Sequence, residues 1–130
     1  MDIKILLPQH KSDSDAVEKL KMLSFEQIKP IIPDLLAWLQ DINWPIAGSV
    51  ADILMPIKDK IAPDIIGILK TNDEEWKYWI LRTLAQGATD PLLLKEIERI
   101  AKYPTKGEIE SEVNIEAADI LYSNDNPFLS

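Results

Sequence analysis

The chain has 130 residues, contains no cysteine and carries a formal net charge of −8. Disulfides and thiolate metal sites are therefore excluded, and the excess of carboxylates disfavours a nucleic-acid partner because phosphate backbones repel acidic surfaces. An apolar content of 46% predicts a packed core, and no apolar run is long enough for a signal peptide or a membrane span. We expect one cytoplasmic domain over 1–130, with 1–14 as an N-terminal segment and 123–130 as a C-terminal tail.

Helical periodicity and helix-capping residues predict an all-α protein of about seven helices with short connections and no sheet. In chain order, we place the helices at about 15–23, 25–40, 44–55, 59–70, 73–86, 91–103 and 107–122. The second helix is expected to break at Pro30 or Pro33, and the fourth near Pro63, because proline disrupts a helix interior.

Capping residues set the expected helix starts. Five pairs or single residues fit this role: Asp15 with Glu18, Ser24 with Gln27, Asn43, Asn72 with Glu75, and Thr105 with Glu108. In addition, Asp90 precedes Pro91, which is a cap followed by the proline favoured in a first turn.

The middle third of the chain repeats itself. Residues 32–40, IPDLLAWLQ, return as residues 62–70, APDIIGILK, at an offset of 30 residues. Each copy is followed by a polar break and then by a helix that a tryptophan opens. A repeat of this length built from two helices is typical of a short α-solenoid of antiparallel helix pairs.

The helix predicted at 73–86 has two apolar strips. One strip contains Trp76, Trp79, Ile80, Thr83 and Leu84, and the other contains Tyr78, Leu81 and Ala85. Such a helix is expected to lie between neighbouring helices. We expect Trp38 and Trp79 in the core and Trp44 and Trp76 partly exposed, whereas acidic residues of the later helices, Glu96 and Glu116 among them, are expected at solvated surfaces.

Residues for catalysis are sparse. His10 is the only histidine and the four glycines are isolated, so neither a histidine-based triad nor a phosphate-cradling loop is indicated. Asp34 and Asp64 are explained by the favourable position of carboxylates at helix N-termini. The pair Glu112 and Glu116 is a weak indication of a cation site. We therefore assign no catalytic, cofactor or metal residue.

Arg82 has two interpretations. It either pairs with an acid such as Asp52 or Asp41, or stacks on Tyr78, within the fold, or it contacts a partner from the groove of the solenoid. The structural pairing is favoured by the apolar helix around it.

Two tryptophan motifs, residues 38–45 (WLQDINWP) and 76–81 (WKYWIL), carry a family resemblance. Together with the early Leu7-Pro8 and Asp15-Ala16, they resemble the bacterial family known as domain of unknown function 5071, over nearly the whole chain. The resemblance implies a HEAT-like helical fold and brings no activity with it.

The sequence favours a non-enzymatic module that binds a protein or peptide through a concave groove. The candidate contacts are Asn43, Trp44, Lys77, Tyr78 and Arg82. A basic partner is one expectation from the charge, and an immunity- or antitoxin-like protein that occludes a basic effector is a narrower version. A small enzyme using carboxylates with Arg82, and a homo-oligomeric structural role, are two further hypotheses, and the oligomeric state stays open.

Overall fold

The structure of the protein is a computed structural model in which residues 6–122 are described. The chain forms two compact units, Met1–Ile57 and Lys58–Ser130, and each is described by itself. Throughout 6–122 the regular secondary structure is helical, with no strand. No helix within this range is long and apolar enough to cross a membrane. The predicted tail 123–130 lies outside the described residues.

Within residues 6–57, the first unit contains four α-helices, some continued by 3₁₀ turns. They are α1 (Ser14–Leu20), α2 (Phe25–Ile28), α3 (Ile32–Ala37) and α4 (Ala47–Leu54), with 3₁₀ turns at Lys29–Ile31, Trp38–Gln40 and Met55–Ile57. Helix α4 packs against α1 and α3. Its buried side chains are small or branched, including Ala47, Val50 and Leu54, so neighbouring helices can approach closely.

The second unit contains the remaining described helices. They are α5 (Ala62–Leu69), α6 (Glu74–Thr83), α7 (Pro91–Lys102), α8 (Lys106–Glu110) and α9 (Val113–Leu121). Helix α7 packs against α5 and α9, and α6 packs against α5 and α9. Leu93, Ile97 and Ile100 form a fully buried stripe at i, i+4 and i+7 on α7, which explains how one helix can hold the unit together.

The sequence repeat corresponds to a repeated local structure. Helices α3 and α5 both have proline within the first two positions, and each has an acid, Asp34 or Asp64, in the first turn. Neither helix has a side-chain cap, because an isoleucine, Ile31 or Ile61, occupies the N-cap position. Both isoleucines are buried. The first-turn prolines and acids are exposed, and they mark the start of each helix.

Several predicted helix starts are confirmed. Capping boxes form at Ser24 with Gln27 and at Thr105 with Glu108, and Asp90 caps α7 ahead of Pro91. The second predicted helix is interrupted at the expected prolines, where a 3₁₀ turn at Lys29–Ile31 leads into α3.

Other predicted starts are wrong by one to three residues. Asp13, not Asp15, caps α1, and Asp73, not Asn72, caps α6, because each aspartate accepts the backbone N–H three residues later. Asn43 caps nothing: its own N–H donates to Asp41, and α4 begins only at Ala47.

The helix predicted at 107–122 is also wrong, because it is divided in two. Ser111 ends α8, and Glu112 adopts a left-handed backbone conformation with φ 61° and ψ 20° before α9 begins. Neither glycine nor proline stands at this turn, so local residue types do not predict it.

The buried face of α6 is rotated from the one predicted. The buried residues around this helix are Lys77, Ile80, Leu81, Leu84 and Ala85. Trp76 and Trp79 are only half-buried, as are Trp38 and Trp44 in the first unit. The expectation that Trp38 and Trp79 are core residues is therefore wrong, and their rings lie at the border between core and solvent.

Candidate functional site

Lys77 is a predicted partner contact, but its side chain is only 2% exposed. Its ammonium nitrogen lies 2.8 Å from Oε2 of Glu108 and 3.2 Å from Oε1 of Glu74, and it donates to the carbonyl of Thr71 at 2.9 Å. A lysine ammonium has three donors, and all three are used here. The charge of Lys77 is therefore bound inside the second unit. The prediction that Lys77 presents this charge at a surface is corrected.

Glu108 is the centre of the ion cluster that Lys77 joins. It is fully buried. Its carboxylate accepts hydrogen bonds from both terminal nitrogens of Arg99, at 3.0 and 2.8 Å, and from the backbone N–H of Thr105 at 2.8 Å. Burial alone would raise the pKa of Glu108, but the hydrogen bonds from Arg99 and Lys77 outweigh it and lower this pKa to about 2. The carboxylate is thus held in its charged form.

Arg99 links this cluster to α7. Its Nε donates to Oε1 of Glu96 at 2.7 Å, and the two glutamates raise the pKa of the guanidinium. Glu96 is buried, which corrects the expectation of a solvated carboxylate. Sequence reasoning misses the cluster because the capping box at Thr105 already accounts for Glu108, and because α6, α7 and α8 meet only in the folded chain.

Tyr78 and Arg82 lie one turn apart on α6 and touch each other. The guanidinium carbon of Arg82 is 5.8 Å from the centre of the Tyr78 ring, and Nη1 donates to the phenol oxygen at 3.4 Å. The same Nη1 donates to Oε1 of Glu116 on α9 at 3.2 Å. The predicted structural pairing of Arg82 is confirmed for stacking on Tyr78, but the acid is Glu116 rather than Asp52 or Asp41.

This cluster of Tyr78, Arg82 and Glu116 remains accessible. The Arg82 side chain is 51% exposed although it is bonded at two points. The hydrogen bond to Tyr78 and the charge of Glu116 raise the pKa of Arg82. A cation held in one place at the surface can meet a partner without first losing much conformational freedom.

Asn43 and Trp44 belong to the first unit. Asn43 is exposed in the turn before α4. Trp44 is half-buried and packs edge-to-face on Trp38, with ring centres 5.5 Å apart. The structure therefore places these two candidates in a tight turn, where the edge-to-face pair fixes the indole of Trp44.

A cavity of about 320 Å³ opens beside Tyr78 in the second unit. We call it the acidic cavity; its lining residues are Glu74, Glu75, Tyr78, Trp79, Ser111 and Glu112. The first four come from the first turns of α6, where the spacing i, i+1, i+4, i+5 places them on one side of a helix. The other two come from the turn between α8 and α9.

Sequence reasoning misses most of the acidic cavity. It finds Tyr78, but it predicts Glu75 as part of a cap, Trp79 in the core and Glu112 within a continuous helix. The turn that brings Glu112 towards α6 depends on its left-handed backbone, which a non-glycine residue adopts rarely and which the residue types around it do not indicate.

Polar atoms at this cavity are incompletely paired. Glu74 uses Oε1 for Lys77, whereas its Oε2 is shielded from solvent and has no hydrogen-bond partner among residues 6–122. The indole nitrogen of Trp79 is in the same state within that range. Buried polar atoms are normally satisfied, so each such exception calls for an explanation.

The first unit has a cavity of a different character. It measures about 280 Å³ and is lined mainly by apolar side chains, with one residue of each charge, Lys21 and Asp52. It therefore lacks the single sign of charge that marks the acidic cavity.

No cluster of three or more histidine, aspartate or glutamate side chains in the described chain is placed to hold a metal ion. Glu112 and Glu116, the pair considered above as a cation site, make different contacts: Glu112 lines the acidic cavity, and Glu116 pairs with Arg82.

The chain is similar to one known protein family. A search among curated proteins gives no match. The profile of the family described as Domain of unknown function (DUF5071) matches residues 6–121, which include all of the described helices. The chain belongs to the DUF5071 family.

Proposed function

We propose that the chain is a non-enzymatic module that binds a protein or peptide, and that the exposed side of α6 makes contacts in the second unit. The observation that carries this proposal is the cluster of Tyr78, Arg82 and Glu116 next to the acidic cavity, in which the half-exposed Arg82 is held by hydrogen bonds from Nη1 to the other two side chains. Tyrosine and arginine are among the residues that contribute most to protein interfaces.

The charge supports a partner with a basic surface. The chain has a net charge of −8, and complementary charge speeds association and disfavours wrong partners. Three glutamates at one cavity provide a local concentration of that charge. A narrower form of the proposal is an immunity- or antitoxin-like protein that occludes a basic effector, and a toxin gene next to the genes of family members would support it.

The finer architecture belongs to the same proposal. A HEAT-like α-solenoid in a cytoplasmic bacterial protein would supply the extended surface that such binding uses. The sequence repeat and the matching starts of α3 and α5 support this arrangement. Small-angle scattering distinguishes an elongated stack of helix pairs from other arrangements of the two units.

Affinity capture followed by mass spectrometry tests the binding function. A captured partner is purified, and its affinity is then measured against Arg82→Ala and Tyr78→Ala. Lys95→Ala and Tyr103→Ala are matched controls, because Lys95 is an exposed cation on α7 and the Tyr103 ring is 76% exposed.

We expect the two α6 variants to weaken binding by roughly tenfold or more, as interface hot spots do. The controls should bind like the unchanged protein. Equal affinity of all four variants, with circular dichroism showing folded protein, would contradict the assignment of this surface.

A further inference from the structure

We propose that the acidic cavity receives the cationic side chain of a lysine or arginine on a partner protein. This inference rests on the proposed binding function and names the chemical group that the cavity recognises.

The first argument is electrostatic. Of the six lining residues, three are glutamates and none is basic. Lys77 partly neutralises Glu74 from the interior, but it shares its charge with Glu108. Glu75 and Glu112 are exposed, and no ion pair in the described chain neutralises either of them. An anionic ligand would be repelled and a cationic one attracted.

The second argument is the aromatic wall. The rings of Tyr78 and Trp79, which both line the cavity, meet edge-to-face with centres 5.0 Å apart, and Arg82 already lies over the Tyr78 ring. A cation is attracted to the face of an aromatic ring, and tryptophan is the strongest partner. The apolar stem of a lysine or arginine can lie along such rings while its charged end reaches a carboxylate.

The third argument concerns hydrogen bonding. Glu74 has one carboxylate oxygen without a hydrogen-bond partner in the described part of the chain. Ammonium and guanidinium groups are rich in donors and have no acceptor. Because Oε2 is shielded from solvent, a donor in the cavity would complete this acceptor after the Glu74 side chain turns towards it.

Size and ligand type favour an organic cation over a bare metal ion. A volume of about 320 Å³ is at the lower end of the range for small-molecule sites. The glutamates around the cavity do not form a cluster of three placed to hold a metal in residues 6–122, whereas calcium requires six to eight converging oxygens. The aromatic rings would contribute nothing to a metal ion of that kind.

The test uses the full chain and a simple probe, Nα-acetyl-lysine methylamide. The matched neutral probe carries an additional acetyl group on Nε, which removes the charge and keeps the stem. Proton–nitrogen correlation spectra report on the indole N–H of Trp79, and Trp79→Phe assigns that signal. The arginine analogue of the probe is measured in the same way.

We expect the charged probes to shift the Trp79 signal in a saturable manner, with a dissociation constant on the order of millimolar, as suits a ligand of few atoms. The shift should weaken at higher salt, because exposed charges are screened. The neutral probe should leave the signal in place. An equal response to charged and neutral probes, or no response to either charged probe, would overturn the inference.

Two variants test the role of the carboxylates. Glu75→Gln and Glu112→Gln should each weaken binding of the lysine probe roughly twofold to fivefold, as expected for exposed charge pairs. Glu26→Gln, a change of the same kind at an exposed position of α2, is the control and should have no effect. If the two cavity variants bind the probe as tightly as the control does, the cavity is not the site.

The outcomes separate this inference from the broader proposal. Arg82 is not a lining residue of the cavity, although it bonds the lining residue Tyr78. Loss of probe binding in the cavity variants, with partner affinity unchanged in Arg82→Ala, would support the cavity and contradict the role of Arg82 as a partner contact. A partner bound through Tyr78 and Arg82 by a protein that ignores both charged probes would support the binding function and contradict the inference.

Discussion

Lys77 and Glu108 form an ion pair in the interior of the second unit, with Nζ 2.8 Å from Oε2 and side-chain exposures of 2% and 0%. The two residues lie on α6 and α8, and Arg99 on α7 binds the same carboxylate. Three helices are thus joined at one buried group. Because charges far from water are tolerated only when paired, loss of any member should affect the whole unit.

Lys77→Met is expected to lower the free energy of unfolding by about 3–5 kcal/mol, the usual cost of leaving a buried charge without its partner. Urea denaturation followed by circular dichroism measures the change. Lys95→Met alters an exposed lysine and should change stability by less than about 0.5 kcal/mol. Similar values for the two variants would show that the buried pair contributes nothing to stability.

Stability should fall in acid as Glu108 takes up a proton. Its pKa is lowered from 4.5 to about 2 in the folded state, so its stabilising effect is complete above pH 4.5 and is lost as the pH falls towards 2. The shift corresponds to about 3 kcal/mol. Unfolding free energies measured across this range test the prediction, and in Glu108→Gln the decline should be smaller by that amount. An unchanged decline would assign the acid sensitivity to other carboxylates.

Glu112→Gly should stabilise the protein by about 1 kcal/mol. Glu112 has a φ of 61°, where a side chain costs roughly 1–2 kcal/mol and glycine costs little, although glycine also loses more entropy on folding. Thermal or urea denaturation measures the effect. Glu110→Gly, at the last residue of α8, is the control and should destabilise, because glycine disfavours helical backbone. Destabilisation by both changes would mean that the Glu112 side chain makes a favourable contribution larger than its backbone cost.

Asp59 fixes the start of α7. It accepts hydrogen bonds of 3.0 Å from the N–H and hydroxyl groups of Thr89 and from the N–H of Asp90, and these bonds help to lower its pKa although burial opposes them. Asp59→Ala should therefore cost about 2 kcal/mol. Amide hydrogen exchange at Thr89 and Asp90 should become faster. Asp52→Ala, at an exposed position of α4, is the control, and faster exchange in that variant as well would point to a general loss of stability.

The positions of helices can be predicted where capping residues and prolines occur at the ends of segments with helical periodicity. The sequence predicts the capping boxes at Ser24 and Thr105 and the prolines that begin α3 and α5, because each feature depends on residues close in sequence. The left-handed turn at Glu112 is not predicted by the sequence, because glutamate does not favour that backbone conformation.

The candidate site is predictable only in part. Arg82 and Tyr78 can be found because an arginine in an apolar helix stands out, and the stacking between them follows from their spacing. The prediction for Lys77 is wrong because a lysine is usually exposed, and its burial depends on Glu108, about thirty positions along the chain. The sequence does not predict that Glu75 and Glu112 line the same cavity, since the packing of α6 against α9 decides which carboxylates come together.

The left-handed backbone of Glu112 also offers a way to sort the members of the family. A relative with glycine or asparagine at this position would make the same turn with less strain, but it would lack the carboxylate at the cavity. A relative that keeps glutamate or aspartate accepts the strain and retains the charge. If the cavity binds a cation, the residue type at this single position should separate relatives with basic partners from those that have lost them.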